Sequence, residues 1–446
     1  MEIGETYNVL VEDYDVNGLG VGHIESRVVF IERAAKNETV VCRITYVHKK
    51  YAFAEAIQVL NPSADRIPPA CPYFEQCGGC DLMHISYEAE CEIKEKKVKQ
   101  ALRGRTAVEF HPLISSKELS GYRNKVMVPF ARDDEDDVIY GFYEKKSHHI
   151  IPMRQCLISS ELDNRILAVI ERYLSLFHIS IYNEETHRGV FREVMIRHTS
   201  LNEYMVVLVA TKKTDLSVLV QGLIREFPEI KSIYLNVNPD KTNVVLSGEY
   251  ELLYGNRVII ERILGLKFQV SPASFMQVNH KQCERLYAEA IRMGELDKDM
   301  NVIDAYCGMG SITLNIAKQV KKVYGIEVVE AAIANANQNK EINEIYNAEF
   351  ICGKCEEEIV RLINKEKIDV IFFDPPRKGC EKRFLDTVAD MGIPKIIYIS
   401  CNIATAARDI EYLEKRGYVL REVTPMDLFS RTSHVESVSC LSLKEK

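Results

Sequence analysis

Along the first 61 residues apolar and polar positions alternate in short runs: "TYNVLVEDYD", "GLGVGHIESRVVFIE" and "ETVVCRITYVHKKYAFAEAIQVL". A period of two sends every second side chain to the same face, and the glycines between runs mark turns. The pattern predicts four or five short strands, enough to close a small β-barrel. Pro62 and "DRIPPACP" (65–72) then read as a linker, because proline cannot extend a central strand. A helix is predicted over about 86–103. From 120 to 260 short strands return ("YRNKVMVPFAR", "VIYGFYEK", "EYMVVLVAT", "SIYLNVN", "NVVLSG"), with helices near 160–178 and 214–227. From about 262 apolar strands alternate with helices, as in a parallel sheet with helical crossovers. The chain therefore reads as an α/β protein in three parts: a barrel (1–61), a mainly β central domain (62–261) and a doubly wound domain (262–446).

Composition adds bounds. With 446 residues, 46% of them apolar and 27% charged, the chain has material for two or three packed cores. No stretch approaches the roughly 18 uncharged apolar residues of a membrane span. The acidic, alternating N-terminus does not have the form of a signal peptide, so a cytoplasmic location is expected. In that setting thirteen cysteines are candidates for metal, cluster or catalytic roles before disulfides. The net charge of −8 gives no overall basic field. Only "EIKEKKVKQALRGR" (92–105), "KSHH" (146–149) and smaller patches are basic, and these read as solvated faces.

Three segments of the last part carry chemistry. "NVIDAYCGMGSITLNIAKQVKKVYGIE" (301–327) has the form strand, loop, helix, strand. Its glycines at 308 and 310 allow a tight turn, the helix starting near Ser311 offers amide groups, and Glu327 ends the next strand, placed to accept from ribose hydroxyls. A dinucleotide fingerprint would need glycine at position 313, which is Thr313. The spacing D-x-x-x-G-x-G instead resembles the donor loop of S-adenosylmethionine-dependent methyltransferases, a Rossmann-like fold. "FFDPPRKG" (372–379) sets Asp374 at another strand tip on the same sheet edge. Amine methyltransferases place an aromatic residue after such prolines, and Arg377 stands there instead. "KIIYISCNIATAARDI" (395–410) delivers Cys401 to the C-terminal end of a core strand, where open α/β sheets hold their ligands.

Together, "DPPR" (374–377), "SCN" (400–402), "TSHVE" (432–436) and "SFMQVN" (274–279) resemble the RNA uracil-5-methyltransferase family over nearly the whole chain. Residues 1–61 resemble its TRAM domain, an OB-like RNA-binding barrel. The resemblance implies an S-adenosylmethionine-dependent enzyme acting on structured RNA, ribosomal RNA first and transfer RNA as the alternative, and working as a monomer. It implies Cys401 as nucleophile and Glu436 as base, with His434 a rival for the latter. Donor contacts are implied for Gln277, Tyr306, Glu327 and Asp374, with Phe275 and Asn279 shaping the same pocket. A last strand pair is expected within 427–441, Val435 and Val438 packing inward. Two departures, Ser430-Arg431 for Pro-His and "AAKNE" (34–38) without Pro-Gly, are expected to tune RNA contacts. A non-catalytic RNA-binding protein and an amine methyltransferase are the competing classes.

The spacing C-x5-C-x2-C in "CPYFEQCGGC" suits one metal or cluster, with zinc open as an occupant. The family resemblance implies a [4Fe–4S] cluster on Cys71, Cys77, Cys80 and Cys156. "CGKC" (352–355) and the remaining cysteines read as packing or loop residues.

Overall fold

The computed structural model describes residues 1–105, 107–145, 147–241, 244–246 and 248–444. Strands β1 (Thr6–Tyr14), β2 (Gly20–Ile24), β3 (Arg27–Glu32), β4 (Thr39–Val47) and β5 (Tyr51–Asn61) close into a barrel in the order β1-β2-β3-β5-β4. Alternation sends Val9, Val11, Val29, Ile31, Val40, Ile44, Ala52 and Ala54 into the bore. The walls approach closely at Gly20, where an added Cβ would sit 2.8 Å from Val11 and 2.9 Å from Ala34. The "AAKNE" loop is internal: Ala34, Ala35 and Glu38 are buried, and Glu38 takes an ion pair from Arg66. Asn37 supplies the left-handed φ of +68° that glycine would otherwise provide. The buried part of this loop closes the barrel, while Asn37 stays exposed and Lys36 half-buried.

Helix α1 (Tyr87–Ala101) starts at Ser86, whose side chain accepts from the Ala89 amide. Part of the basic run predicted to be solvated is internal. Lys94 is fully buried, donating to Glu90 at 2.7 Å, to Asp427 at 2.6 Å and to the Phe429 carbonyl at 3.2 Å. Lys96 donates to the Tyr14 carbonyl at 2.9 Å, and Lys97 to the Ser433 carbonyl at 2.9 Å. Lys146 of "KSHH" lies outside the described residues. After α1, β6 (Glu109–Phe110) leaves the central region and joins the edge of the C-terminal sheet.

The central sheet is built from β7 (Lys125–Arg132), β8 (Val138–Tyr143), β9 (Ile150–Pro152), β10 (Phe191–His198), β11 (Tyr204–Ala210), β12 (Ile230–Val237) and β13 (Tyr250–Gly255), in the order β13-β12-β11-β10-β7-β8-β9. Helices α2 (Glu161–Leu176) and α3 (Ser217–Glu226) share a core with it. The strand expected from "NVVLSG" does not appear: 244–246 are irregular, and 242, 243 and 247 lie outside the described residues. β10 was hidden in the pattern because its charged side chains are internal. Arg197 is 1% exposed and donates to the carbonyls of Ser271 (2.9 Å) and Ser274 (2.8 Å). A hairpin of β14 (Ile259–Ile263) and β15 (Leu266–Val270) leads to the last part.

There α4 (His280–Gly294), β16 (Asn301–Ala305), α5 (Ser311–Ala317), β17 (Lys322–Glu327), α6 (Glu330–Ile342), β18 (Ala348–Cys352), α7 (Cys355–Ile363), β19 (Val370–Phe373), α8 (Lys382–Asp390), β20 (Lys395–Ser400), α9 (Ile403–Lys415), β21 (Tyr418–Met426) and β22 (Glu436–Leu443) follow in turn. Among the described residues the sheet has eight strands, ordered β18-β17-β16-β19-β20-β22-β21-β6. β18 to β20 run parallel, and β22 is antiparallel to both neighbours. The strand pair expected within 427–441 is corrected. β22 pairs with β20 and β21, and 427–435 is the connection, although Val435 and Val438 are buried as expected.

Breaking a buried ion pair strands its partner in a medium that solvates charge poorly. Lys94→Ala leaves Asp427 without its cation and Glu90 with only Arg431, at 3.5 Å, to offset its charge. We expect a loss of about 3–5 kcal/mol in urea unfolding, with Lys94→Met less costly than Ala because it fills the volume. Equal stability of Lys94→Ala and wild type would show that the triad contributes nothing.

Candidate active site

The C-terminal tips of β16, β17, β19 and β20 lie side by side, a consequence of their parallel pairing. At the end of β16 the buried Asp304 accepts from Thr313 Oγ1 at 2.5 Å, and burial pushes its carboxyl up to about 7. The chain then bends through Tyr306, a non-glycine residue at φ +63°, and through Gly308 and Gly310. At Gly310, φ is +81° and a Cβ would sit 2.6 Å from the Phe350 ring, so a side chain is doubly excluded. Tyr306 packs its ring against Phe384 at 5.3 Å.

Glu327, placed by the sequence as a ribose acceptor, is held by the loop itself. It accepts from the amides of Val328 (2.8 Å), Val329 (3.0 Å) and Gly308 (3.3 Å). Asp374 follows β19 at the cleft, its carboxyl lifted to about 7 by desolvation and then by the charge of Asp304. Gln277 is buried, with its backbone carbonyl fixed by Asn124 at 3.1 Å. Of the two residues expected to shape this pocket, Phe275 is 74% exposed. Asn279 is buried and caps α4 by accepting from the Gln282 amide, while donating to the Leu428 carbonyl at 3.2 Å. Its polar atoms are spent on the scaffold.

Cys401 is the first residue beyond β20. Register decides what it faces. Ser400 pairs with Ser437 across the antiparallel β20–β22 ladder, and continuing that register by one step sets Cys401 opposite Glu436. Glu436 is 2% exposed, and among the described residues its Oε2 has no hydrogen-bond partner. Burial, then the charge of Asp374, lifts its carboxyl to about 8 against the pull of Arg377. The Cys401 thiol is raised to about 11 by burial, then by Glu436 and Asp374, and Arg377 again opposes them. One thiol, two carboxyls and one guanidinium thus share a field. Pattern reasoning missed the latch beneath them. Asn402 caps α9 through the Ala404 amide and donates to the Arg377 carbonyl (both 3.1 Å), and Thr405 donates to the same carbonyl at 3.3 Å. An asparagine between a strand and an alanine-rich helix is the signal that would have found it.

Comparison with known proteins decides the kinship. Residues 86–444 match the model of the tRNA (uracil-5-)-methyltransferase family, and residues 1–57 match the TRAM domain. The chain belongs to the tRNA (uracil-5-)-methyltransferase family. It is similar to an uncharacterized RNA methyltransferase of Bacillus cereus (38% identity over all of this chain and 98% of the relative). It is likewise similar to one of Clostridium tetani (39%, over 97% and 95%). Among solved structures, the Pyrococcus abyssi tRNA (uracil-54, C5)-methyltransferase in complex with S-adenosyl-L-homocysteine superposes with a TM-score of 0.78. Its identity is 25%, over 98% of this chain and 100% of that one. The protein is thus an S-adenosylmethionine-dependent RNA (uracil-5-)methyltransferase with an N-terminal TRAM barrel.

In this uracil-5-methyltransferase a second cysteine group lies apart from the donor cleft. Cys71, Cys77, Cys80 and Cys156 line one cavity of about 60 Å³, with Phe74, Met83 and Ile158 among its walls. Burial raises the thiols of Cys71, Cys77 and Cys80, and the charge of Cys156 raises each of them further. Among the described residues no three His, Cys, Asp or Glu side chains converge closely enough for a single ion. Four soft donors around an apolar hollow, with no carboxylate in its lining, fit a larger thiophilic group. Cys352 and Cys355 turn back instead to the carbonyls of Val328 and Ile326. Among the described residues no helix is long and apolar enough to cross a membrane.

The raised Glu436 carboxyl links to stability with a definite sign. Its ordinary value is 4.5 and its folded value about 8, so the fold binds its proton more tightly than the unfolded chain does. The stability it confers is complete below about 4.5 and is lost as pH rises through about 8. Glu436→Gln should therefore melt higher than wild type at pH 9 and nearly level with it at pH 4. The difference has an upper bound on the order of 5 kcal/mol. A pH-independent difference in thermal melts would refute the buried, uncompensated carboxylate.

Proposed function

We propose that this enzyme methylates carbon 5 of a uridine in folded ribosomal RNA through a transient bond between Cys401 and carbon 6 of the ring. The register that sets Cys401 across from the unpartnered, buried Glu436 is the observation that supports the reading. Carbon 5 of uracil is too poor a nucleophile to take a methyl group unaided. Addition of the Cys401 thiolate to carbon 6 gives an enolate whose electron density lies on carbon 5. S-adenosylmethionine supplies an electrophilic methyl group on a sulfonium cation. Carbon 5 bonds that methyl as the sulfonium–methyl bond breaks, Glu436 takes the carbon-5 proton, and the carbon-6–sulfur bond opens to return the thiolate. Arg377 is the cation that favours both ionised forms, which the protein-only field of burial and carboxyls opposes. In this scheme Gln277, Tyr306, Glu327 and Asp374 hold the donor.

We divide the work among 1–61, 62–261 and 262–446: the barrel and central part grip RNA, and the last part performs the transfer. The target base must leave its stack, at a cost of a few kcal/mol. Cys71, Cys77, Cys80 and Cys156 would hold a [4Fe–4S] cluster that keeps their loop folded, since the transfer consumes no electron. The enzyme works in the cytoplasm as a monomer. A non-catalytic RNA-binding role is disfavoured, because it gives no return for burying Glu436 without a partner. Transfer RNA is the second reading, favoured by the Pyrococcus abyssi relative, which is named for tRNA.

Ribosomal and transfer RNA transcribed with 5-fluorouridine separate these readings, because fluorine at carbon 5 blocks the final elimination. A covalent adduct with ribosomal RNA, mapped to Cys401, is expected, along with a loss on the order of 10³-fold or more in methyl transfer by Cys401→Ala. Trapping of transfer RNA alone would reverse the substrate, and no adduct at Cys401 would remove the mechanism. For the cysteine pocket, anaerobically purified protein should show iron–sulfur absorption that Cys80→Ser abolishes. A colourless protein containing zinc would replace the cluster.

A further inference from the structure

The barrel's outer face breaks the alternation that built its core. Strands β3, β4 and β5 point small and aliphatic side chains inward, yet turn Phe30, Tyr46, Tyr51 and Phe53 outward. Phe30 and Phe53 are cross-strand partners, and so are Tyr46 and Phe53. Their ring centroids are 5.4 and 6.2 Å apart, and His48 stacks on Tyr51 at 4.4 Å. Tyr46 is 48% exposed. A contiguous aromatic patch on an exposed barrel wall contributes nothing to the bore and marks a binding surface.

Tyr46, Tyr51 and Phe53 of the patch line a cavity of about 690 Å³ together with Glu75 and Cys77 of the cysteine loop and Lys145, while Phe30 packs on Phe53 beside it. Ser433 also lines this cavity. Ser433 and Glu436 are three positions apart in the chain, so their Cα atoms lie at most about 11 Å apart. That is two or three stacked nucleotides at ~3.4 Å each. The rim mixes charges: Arg33 and Lys145 face Glu32, Glu75 and Asp81, and Lys145 pairs with Glu32 at 3.4 Å. Such a rim offers little net attraction for phosphate, whereas the rings offer π-faces to any base.

We infer that Tyr46, Tyr51, Phe53 and Phe30 form a stacking platform for unpaired nucleotides flanking the extruded uridine, a substrate-positioning site that rests on the RNA reading above. Its specificity is for single strands over duplex, because bases in a helix already stack on each other.

The chain has no tryptophan, so Tyr46→Trp introduces a single reporter at the platform. Oligouridylate should quench its fluorescence, and the same strand annealed to oligoadenylate should not. Tyr46→Ala and Tyr46→Leu should each bind oligouridylate about 5- to 100-fold more weakly, while Tyr46→Phe binds like wild type. The salt dependence of binding should stay unchanged, since no phosphate contact is lost. Absence of quenching, wild-type affinity in the Ala and Leu variants, or a shallower salt slope would overturn the platform. Binding needs no transfer: if 5-fluorouridine trapping fails while these variants still weaken binding, the reaction scheme falls and the platform stands. The converse pattern removes the platform alone.

Discussion

The active centre depends on one strand running the wrong way. Five parallel strands end at a common edge, and in such a sheet each tip faces only a loop and a helix start. β22 enters beside β20 from the opposite direction, so its first residue meets the last residues of β20. That antiparallel insertion brings Glu436, the first residue of β22, opposite Cys401, the first residue beyond β20. A slip of one residue would turn every side chain of β22 to the other face. The buried run Val438, Cys440 and Leu441 holds the register, because it packs into the cores on both sides of the sheet.

The connection that delivers Glu436 is held from outside the sheet. Asp427 accepts from Lys94 and from Tyr87 (2.7 Å), and Ser430 donates to it at 2.6 Å. The Arg431 carbonyl accepts from the amides of Asp81 and Leu82, and the Asp81 carboxylate accepts from Ser433. The residues just beyond Cys80 are therefore stitched to the loop that ends at Glu436. Tyr122, packed in the cysteine cluster, donates to the Ser430 carbonyl at 2.9 Å. Ser430 and Arg431, the departure expected to tune RNA contacts, are tied into this scaffold, Ser430 to Asp427 and Arg431 to Glu90 and the cysteine loop. Whatever orders the cysteine loop therefore also orders the connection that ends at Glu436.

Periodicity made the barrel, the parallel sheet and the donor loop legible, because each obeys a single rule about which face is buried. It failed where polar side chains are internal. β10 contains Arg192, Glu193 and Arg197 and reads as a surface segment until the partners are known. Lys94 sits in a run of six cations, and nothing local distinguishes it from its solvated neighbours. The thiol at a strand tip was visible as an anomaly of placement. The family resemblance names Glu436 as the base, but that it lies opposite the thiol was not readable, since their pairing is a long-range register set by a strand more than thirty residues away. Asn279 carries a role that its motif did not reveal, since its bonds cap α4 and reach the Leu428 carbonyl.

The electrostatics of the cleft set stability against chemistry. Asp304, Asp374 and Glu436 are all lifted toward or beyond neutrality, and burial is the largest cause in each case. A protein selected for stability alone would replace such groups with apolar ones of equal volume. Keeping them makes sense if a cation is to enter. A positively charged ligand favours their ionised forms, lowers the thiol at Cys401 by the same field, and is held most tightly where the empty site is most strained. The charge of Arg377 eases both Cys401 and Glu436. In the proposed reaction, a charged methyl donor entering this cleft would favour the ionised forms of the thiol and the carboxyls together.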